Sequence, residues 1–149
     1  MVQRATQSIV VAATPTQVYA VVVDFDRYRE WVAELKEIDV LERDVDGRAL
    51  EVAFRAAAFG RSTKYALRYD YSLAPRVLSW HQMWGDVTET LNGSYLFEEF
   101  EAGGASTRVT YDLEVALAVP VPQFIQGRAA GRIQRHALHE LKHRIESLS

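Results

Sequence analysis

Apolar and polar residues alternate between Ala105 and Leu117. Val109, Tyr111, Leu113, Val115 and Leu117 share one side, and Arg108, Thr110, Asp112 and Glu114 the other. A period of two marks a half-buried strand. After Pro120-Val121-Pro122 the period lengthens, and Ala130, Ile133, Ala137, Leu141, Ile145 and Leu148 recur every three or four residues. That spacing predicts one long amphipathic helix. Neither stripe is stable in water, so the helix must lie across the apolar face of its sheet. The space between the two is where function is expected to reside.

The same reading runs back to the start of the chain. Thr6 to Ala12 predicts a strand, and Thr14-Pro15-Thr16-Gln17 then supplies a cap, a first-turn proline and a capping-box partner for a helix through about Val23. Asp24 offers a second cap, for a short helix containing Tyr28 and Trp31. Strands are predicted at Ile38 to Arg43, Ala49 to Ala57, Ser62 to Leu73, Val77 to Trp84 and Thr88 to Glu101, with turns at Asp44 to Gly47 and Ala74 to Arg76. Glycine at Asn92-Gly93, inside a strand, predicts a bulge or a close approach of backbone. The order is strand, two helices, six strands and a helix, an α+β architecture. Residues 1–149 read as one domain, with no repeat or linker.

Composition narrows the function. The chain has no cysteine, which removes disulfides, thiolate metal sites and cysteine nucleophiles. A net charge of -3 gives no electrostatic reason to expect nucleic acid. No stretch has the length of a signal peptide or a membrane span, so a cytoplasmic protein is expected.

Several segments carry a resemblance in their order and spacing. They are Ser8 to Tyr19, Asp24-Phe25 to Trp31, Val40-Leu41-Glu42-Arg43 to Gly47, Asn92-Gly93-Ser94-Tyr95-Leu96-Phe97, and Gly104 to Leu113. Together they resemble the START-like or helix-grip superfamily of polyketide cyclases, lipid-transfer proteins and coenzyme Q-binding proteins. The resemblance implies a curved antiparallel sheet of about seven strands gripping the C-terminal helix around an apolar cavity. Arg29 and Tyr95 depart from the family, which commonly has Pro and Trp at these places. Cyclase members are thought to use a cavity arginine on the strand that here runs Ser62 to Leu73. Tyr69 falls at that place, and Arg68, one residue away, faces the other side of the sheet.

Candidate chemistry is sparse. His139-Glu140-Leu141-Lys142-His143 has the zinc-protease spacing, yet at about 100° per residue both histidines lie about 160° from Leu141 on the buried stripe. They are expected to face solvent, and no metal site or cofactor is predicted. Arg128, Arg132, Arg135, His136, Lys142 and Arg144 make the helix locally basic. Transient contact with an anionic membrane or an acidic partner is one reading, and dipole complementation and solubility are the plainer one. Trp80 is placed inward and His81 outward, and no triad or paired carboxylates can be assembled, so no catalytic residue is named.

Aromatic residues are the better lead. Trp31, Tyr65, Leu67, Tyr69, Trp80, Tyr95, Phe97, Tyr111 and Phe124 fall by alternation or helix position on the inner face or at the mouth of the space, and Gly127 opens the terminal helix. Tyrosine hydroxyls buried without partners cost about 1–3 kcal/mol each, so several on one inward face suggest a wet or ligand-filled cavity. The small residues Gly127, Ala129, Ala130 and Gly131 either leave room beneath the helix or mark a loose start. The expected function is binding of a lipid, isoprenoid quinone or polyketide-like molecule. The alternatives are an aromatase/cyclase or dehydratase in the same cavity, and a docking module built on the basic helix.

Overall fold

The computed structural model describes residues 2–58, 60–122 and 127–148. β1 (Val2–Val11) leads into α1 (Pro15–Val22) and a 3-10 helix (Phe25–Glu30). The strands β2 (Leu35–Arg43), β3 (Ala49–Ala58), β4 (Arg61–Asp70), β5 (Val77–Gly85), β6 (Thr88–Glu99) and β7 (Thr107–Leu117) follow, and then α2 (Ala129–Ser147). The seven strands form one antiparallel sheet in the order β1-β7-β6-β5-β4-β3-β2.

Local chemistry accounts for the ends of α1. Thr14 accepts the Gln17 amide, and the Gln17 side chain accepts the Thr14 amide, the reciprocal capping box that the sequence predicts. The second short helix is 3-10 rather than α, and Asp24 makes no side-chain cap there. The sheet bends at irregularities in β2, between Ala66 and Leu67 of β4, and between Thr88 and Thr90 of β6. Such offsets increase local twist and let a sheet curl around what it covers.

Gly93 lies in an unbroken β6, opposite Trp80 and Leu113. A Cβ there would meet the Asp112 carbonyl oxygen at 2.5 Å and Trp80 Cζ2 at 2.7 Å. Of the two readings the sequence offered, close approach is the one realised: the indole occupies the place of a side chain.

α2 docks on one side of the concave face, against β1 and β7. Ala129 and Ala130 are buried, the Ala130 amide reaches the Gln3 side chain, and Gln7 Nε2 donates to the Gly131 carbonyl at 3.0 Å. The small residues thus bring helix and strand together instead of leaving room beneath the helix. Gln134 is fully buried, and its Nε2 donates to the Ala5 carbonyl at 2.7 Å and the Tyr111 carbonyl at 2.8 Å. Leu138, Leu141 and Ile145 continue the buried stripe, each contributing about 1.5–3 kcal/mol of apolar transfer, whereas Leu148 is exposed.

Two substitutions test this framework by urea unfolding. Gly93→Ala forces a methyl against backbone and indole and should cost about 1–3 kcal/mol. Gln134→Leu keeps the volume but removes both donated bonds and should also cost about 1–3 kcal/mol.

Candidate functional site

Because α2 sits on the β1 and β7 side, the space between it and β3 to β6 is not filled. A cavity of about 240 Å³ lies there, with 25 residues around it. Its far wall is Phe54, Ala56, Ala57 and Ala58 of β3 with Thr63, Tyr65, Leu67 and Tyr69 of β4. Leu78 and Trp80 of β5, Leu91 and Tyr95 of β6 and Tyr111 of β7 form the floor. Ile133, Ala137 and Leu141 of α2 close it from above, and Tyr28, Trp31 and Val32 from the side.

The rings form a connected surface. Tyr95 stands opposite Tyr111 across the β6–β7 pair with centroids 4.6 Å apart, and Trp80 contacts both, at 5.2 and 5.7 Å. Tyr69 lies 6.0 Å from Trp80 and 4.7 Å from Phe25, and Tyr65 stacks on Phe54 at 5.2 Å. Aromatic pairs in such offset and edge arrangements are worth about 0.5–1.5 kcal/mol beyond the area they bury.

The hydroxyls are the unusual part. Tyr28 donates to the Val22 carbonyl and Tyr71 to the Ala49 carbonyl at 2.6 Å. Among the described residues, no hydrogen bond satisfies the hydroxyls of Tyr65, Tyr69, Tyr95 and Tyr111. Among the described residues the fully buried side-chain atoms without a partner are Gln134 Oε1 and Arg144 Nε, so none of the four hydroxyls is sealed in packed protein, and all four tyrosines line the cavity. The four hydroxyls therefore open onto the cavity. Removal from bulk water raises the pKa of every tyrosine in the chain, Tyr65 to about 12, and neighbouring tyrosines push Tyr28, Tyr69 and Tyr111 further in the same direction. All are neutral donors and acceptors near neutral pH.

The mouth is polar. Glu34, His136 and Glu140 border the cavity where the segment after the 3-10 helix meets α2. His136 Nε2 lies 3.9 Å from Glu34 and 3.7 Å from Glu140, and Glu140 Oε2 accepts the Ala33 amide at 2.9 Å. Arg144 reaches Glu30 at 2.8 Å and ties the same two segments together.

Trp31, Tyr65, Leu67, Tyr69, Trp80, Tyr95 and Tyr111 all border the cavity, as alternation predicts. Phe97 does not. It shares the inner face with Tyr95 but lies one step further along β6, where it packs edge-on against Tyr19 of α1 as core. Gly127 is exposed ahead of α2, with nothing near the position of a Cβ, and Phe124 lies outside the described residues. Tyr28, Phe54, Thr63, Thr88, Leu91 and the α2 residues were not foreseen. The run Ala56-Ala57-Ala58 was the readable signal, because three small residues ending a strand leave space. Arg68 is directed to Glu42 and Glu51 on the outer face, and Asp70, His81 and Glu89 are exposed. His139 and His143 face solvent, as the helical period requires.

A curved antiparallel sheet closed over a C-terminal helix, with an apolar cavity between them, defines the helix-grip class of START-like proteins. The chain belongs to the family described as polyketide cyclase / dehydrase and lipid transport, whose pattern it matches over residues 2–146. No curated protein matches it in sequence. Among solved structures it is similar to a START superfamily protein from Mycobacterium smegmatis, with 25% identity and a TM-score of 0.88 over 98% of this chain and 99% of that one. It is also similar to the Zhui aromatase/cyclase from Streptomyces sp. R1128, at 15% identity and a TM-score of 0.80 over 98% and 94% of the two chains. The di-domain ARO/CYC BexL of the BE-7585A biosynthetic pathway matches at 22% identity and a TM-score of 0.75, over 97% of this chain and 46% of that one.

Two predictions follow from the hydroxyls. Because the folded pKa values lie above the unfolded value of about 10, the tyrosines' contribution to stability is complete below pH 10 and is lost as pH rises through the folded values. Phenolate absorbance from Tyr65, Tyr69, Tyr95 and Tyr111 should therefore appear only as the protein unfolds, after that of the partly buried Tyr19, and titration of those four in the folded protein near pH 10 would contradict their burial. Tyr→Phe at position 65, 69, 95 or 111 should leave the unfolding midpoint of the ligand-free protein unchanged or higher, because no protein partner is lost.

Proposed function

We propose that this protein binds a compact, oxygen-bearing apolar molecule in the cavity beneath α2, as a carrier or sequestering protein. Lipid ends, isoprenoid quinones and polyketide-like rings are the classes that suit it. The observation that supports this reading is the set of four tyrosine hydroxyls open to an aromatic-walled space of about 240 Å³. That volume lies just below the usual span of small-molecule sites, about 300–1,000 Å³, and suits a ring system or the end of a longer chain. Transfer from water drives binding at about 25 cal/mol per Å² of apolar surface buried, and the hydroxyls orient the ligand through its oxygens.

An aromatase/cyclase or dehydratase is the second reading, and one feature favours it. His136, between Glu34 and Glu140 at the cavity mouth, is a titratable group placed for proton transfer. The arginine on the outer face of β4, Arg68, takes no part in either reading.

The test is to extract purified protein with organic solvent and identify stoichiometric small molecules by native and small-molecule mass spectrometry. Ala137→Phe, which fills the cavity from α2, should fold normally and copurify with nothing. Each of the four Tyr→Phe changes should weaken ligand binding by about 0.5–1.5 kcal/mol, roughly two- to twelvefold. Retention of the ligand at full affinity in Ala137→Phe would sink the assignment. A turnover lost in His136→Ala with binding unchanged would establish the second reading.

A further inference from the structure

Eight of the 17 cationic side chains form no ion pair among the described residues, and all eight are exposed; Arg108 lies over the Phe100 ring, and the other seven are Arg29, Lys36, Arg61, Lys64, Arg128, Arg132 and Arg135. Those seven are not scattered. Arg29 is on the 3-10 helix, Lys36 at the start of β2, Arg61 and Lys64 at the start of β4, and the other three at the beginning of α2. Pairing of Leu35 with Ala56 and of Ala58 with Arg61 puts Lys36, Arg61 and Lys64 at one end of the sheet, and Arg29 is near enough to Glu37 beside them to help lower its pKa. The contact of Ala130 with Gln3 places the start of α2 at that same end. It is the end at which the cavity opens, between Glu34, Ala58, Thr63 and His136.

At the opposite end Arg43 is paired with Asp26, Arg48 with Asp44 and Arg76 with Glu98, and Arg108, without an ion pair, covers the Phe100 ring. Around the opening, Glu30 is matched by Arg144 and Glu37 by Arg55, whose partner carboxylate also feels Lys64 and Arg29. The unmatched carboxylates are Glu34, Asp86, Glu89 and Glu140, and two of them are held by hydrogen bonds, Asp86 from Thr63 and Lys64 and Glu140 from Ala33. Cations thus outnumber carboxylates around the opening, on a chain whose overall charge is -3. Trp84, Met83 and Val2, each about half exposed, stand at the same end.

We infer that this rim docks on the surface of an anionic bilayer, with the cavity mouth facing the lipid. Cations contributed by several separate elements ring an apolar opening, and an exposed tryptophan and methionine sit among them. That is the chemistry of an interfacial contact, in which basic side chains meet anionic headgroups and an indole enters the headgroup layer. An apolar ligand could then pass between bilayer and cavity without crossing water. The inference takes from the proposed function only the position of the opening.

Flotation of the full chain with vesicles of equal parts phosphatidylcholine and phosphatidylserine tests it, with phosphatidylcholine vesicles and immobilised polyglutamate as comparisons. Binding to the anionic vesicles is expected at low salt and should fade as salt is raised. Arg61→Gln, Lys64→Gln, Arg132→Gln and Arg135→Gln should each reduce it roughly fivefold, whereas Arg76→Gln at the far end should not. Ala137→Phe should bind vesicles normally even with its cavity blocked, which separates failure of this inference from failure of the ligand-binding reading. Absence of binding to the anionic vesicles, equal binding to both vesicle types, or indifference to the four rim substitutions would overturn the inference. Capture by polyglutamate but not by vesicles would assign the face to an acidic protein and overturn it too.

Discussion

The off-centre seat of α2 decides most of what this molecule can do. Ala129, Ala130 and Gly131 let the helix backbone approach β1, and Gln134 anchors it there by donating to carbonyls of β1 and β7. Lys142 extends the same seam by donating to the Val10 carbonyl at 2.9 Å. A helix held so closely to one flank of a strongly curved sheet cannot also touch the other flank. The gap beside β3 and β4 is therefore a consequence of good packing elsewhere, and the segment around the 3-10 helix spans it with polar clips at Glu30, Ala33 and Glu34.

What lines the gap sets its chemistry. Leucine or phenylalanine in place of the four tyrosines would give a dry void, and polar side chains with partners would give a filled core. Tyrosine gives neither: its ring supplies apolar wall, and its hydroxyl, neutral because burial raises its pKa, remains available to a guest. The hydroxyls carry a standing cost in the ligand-free protein that bound oxygens would relieve, a common arrangement in which affinity is gained at some expense of apo stability. The cavity opens at the positive end of the molecule, so access and surface charge share one location.

Most of the architecture was legible because periodicity is a physical requirement of half-buried elements. Val109 to Val115 had to share a face, and so did Tyr65, Leu67 and Tyr69, whatever the tertiary structure. The same rule placed Trp80 inward and His81 and Arg68 outward. Alternation fixes a face but not a position along it, which is why Phe97 was grouped with the cavity when it packs against α1. Gln134 was illegible for the opposite reason. A polar residue in a helix reads as solvent-facing until the two carbonyls that bind it are known. The same limit hid Phe54 and Ile133, since their part in the cavity depends on where α2 rests.

A high-resolution crystal structure of the purified protein tests the central claim most directly. The account predicts a bound molecule or ordered waters within hydrogen-bond distance of the hydroxyls of Tyr65, Tyr69, Tyr95 and Tyr111, in an open space beneath α2. Those hydroxyls bonded to each other or to backbone, with α2 settled onto β4 and the space closed, would contradict it.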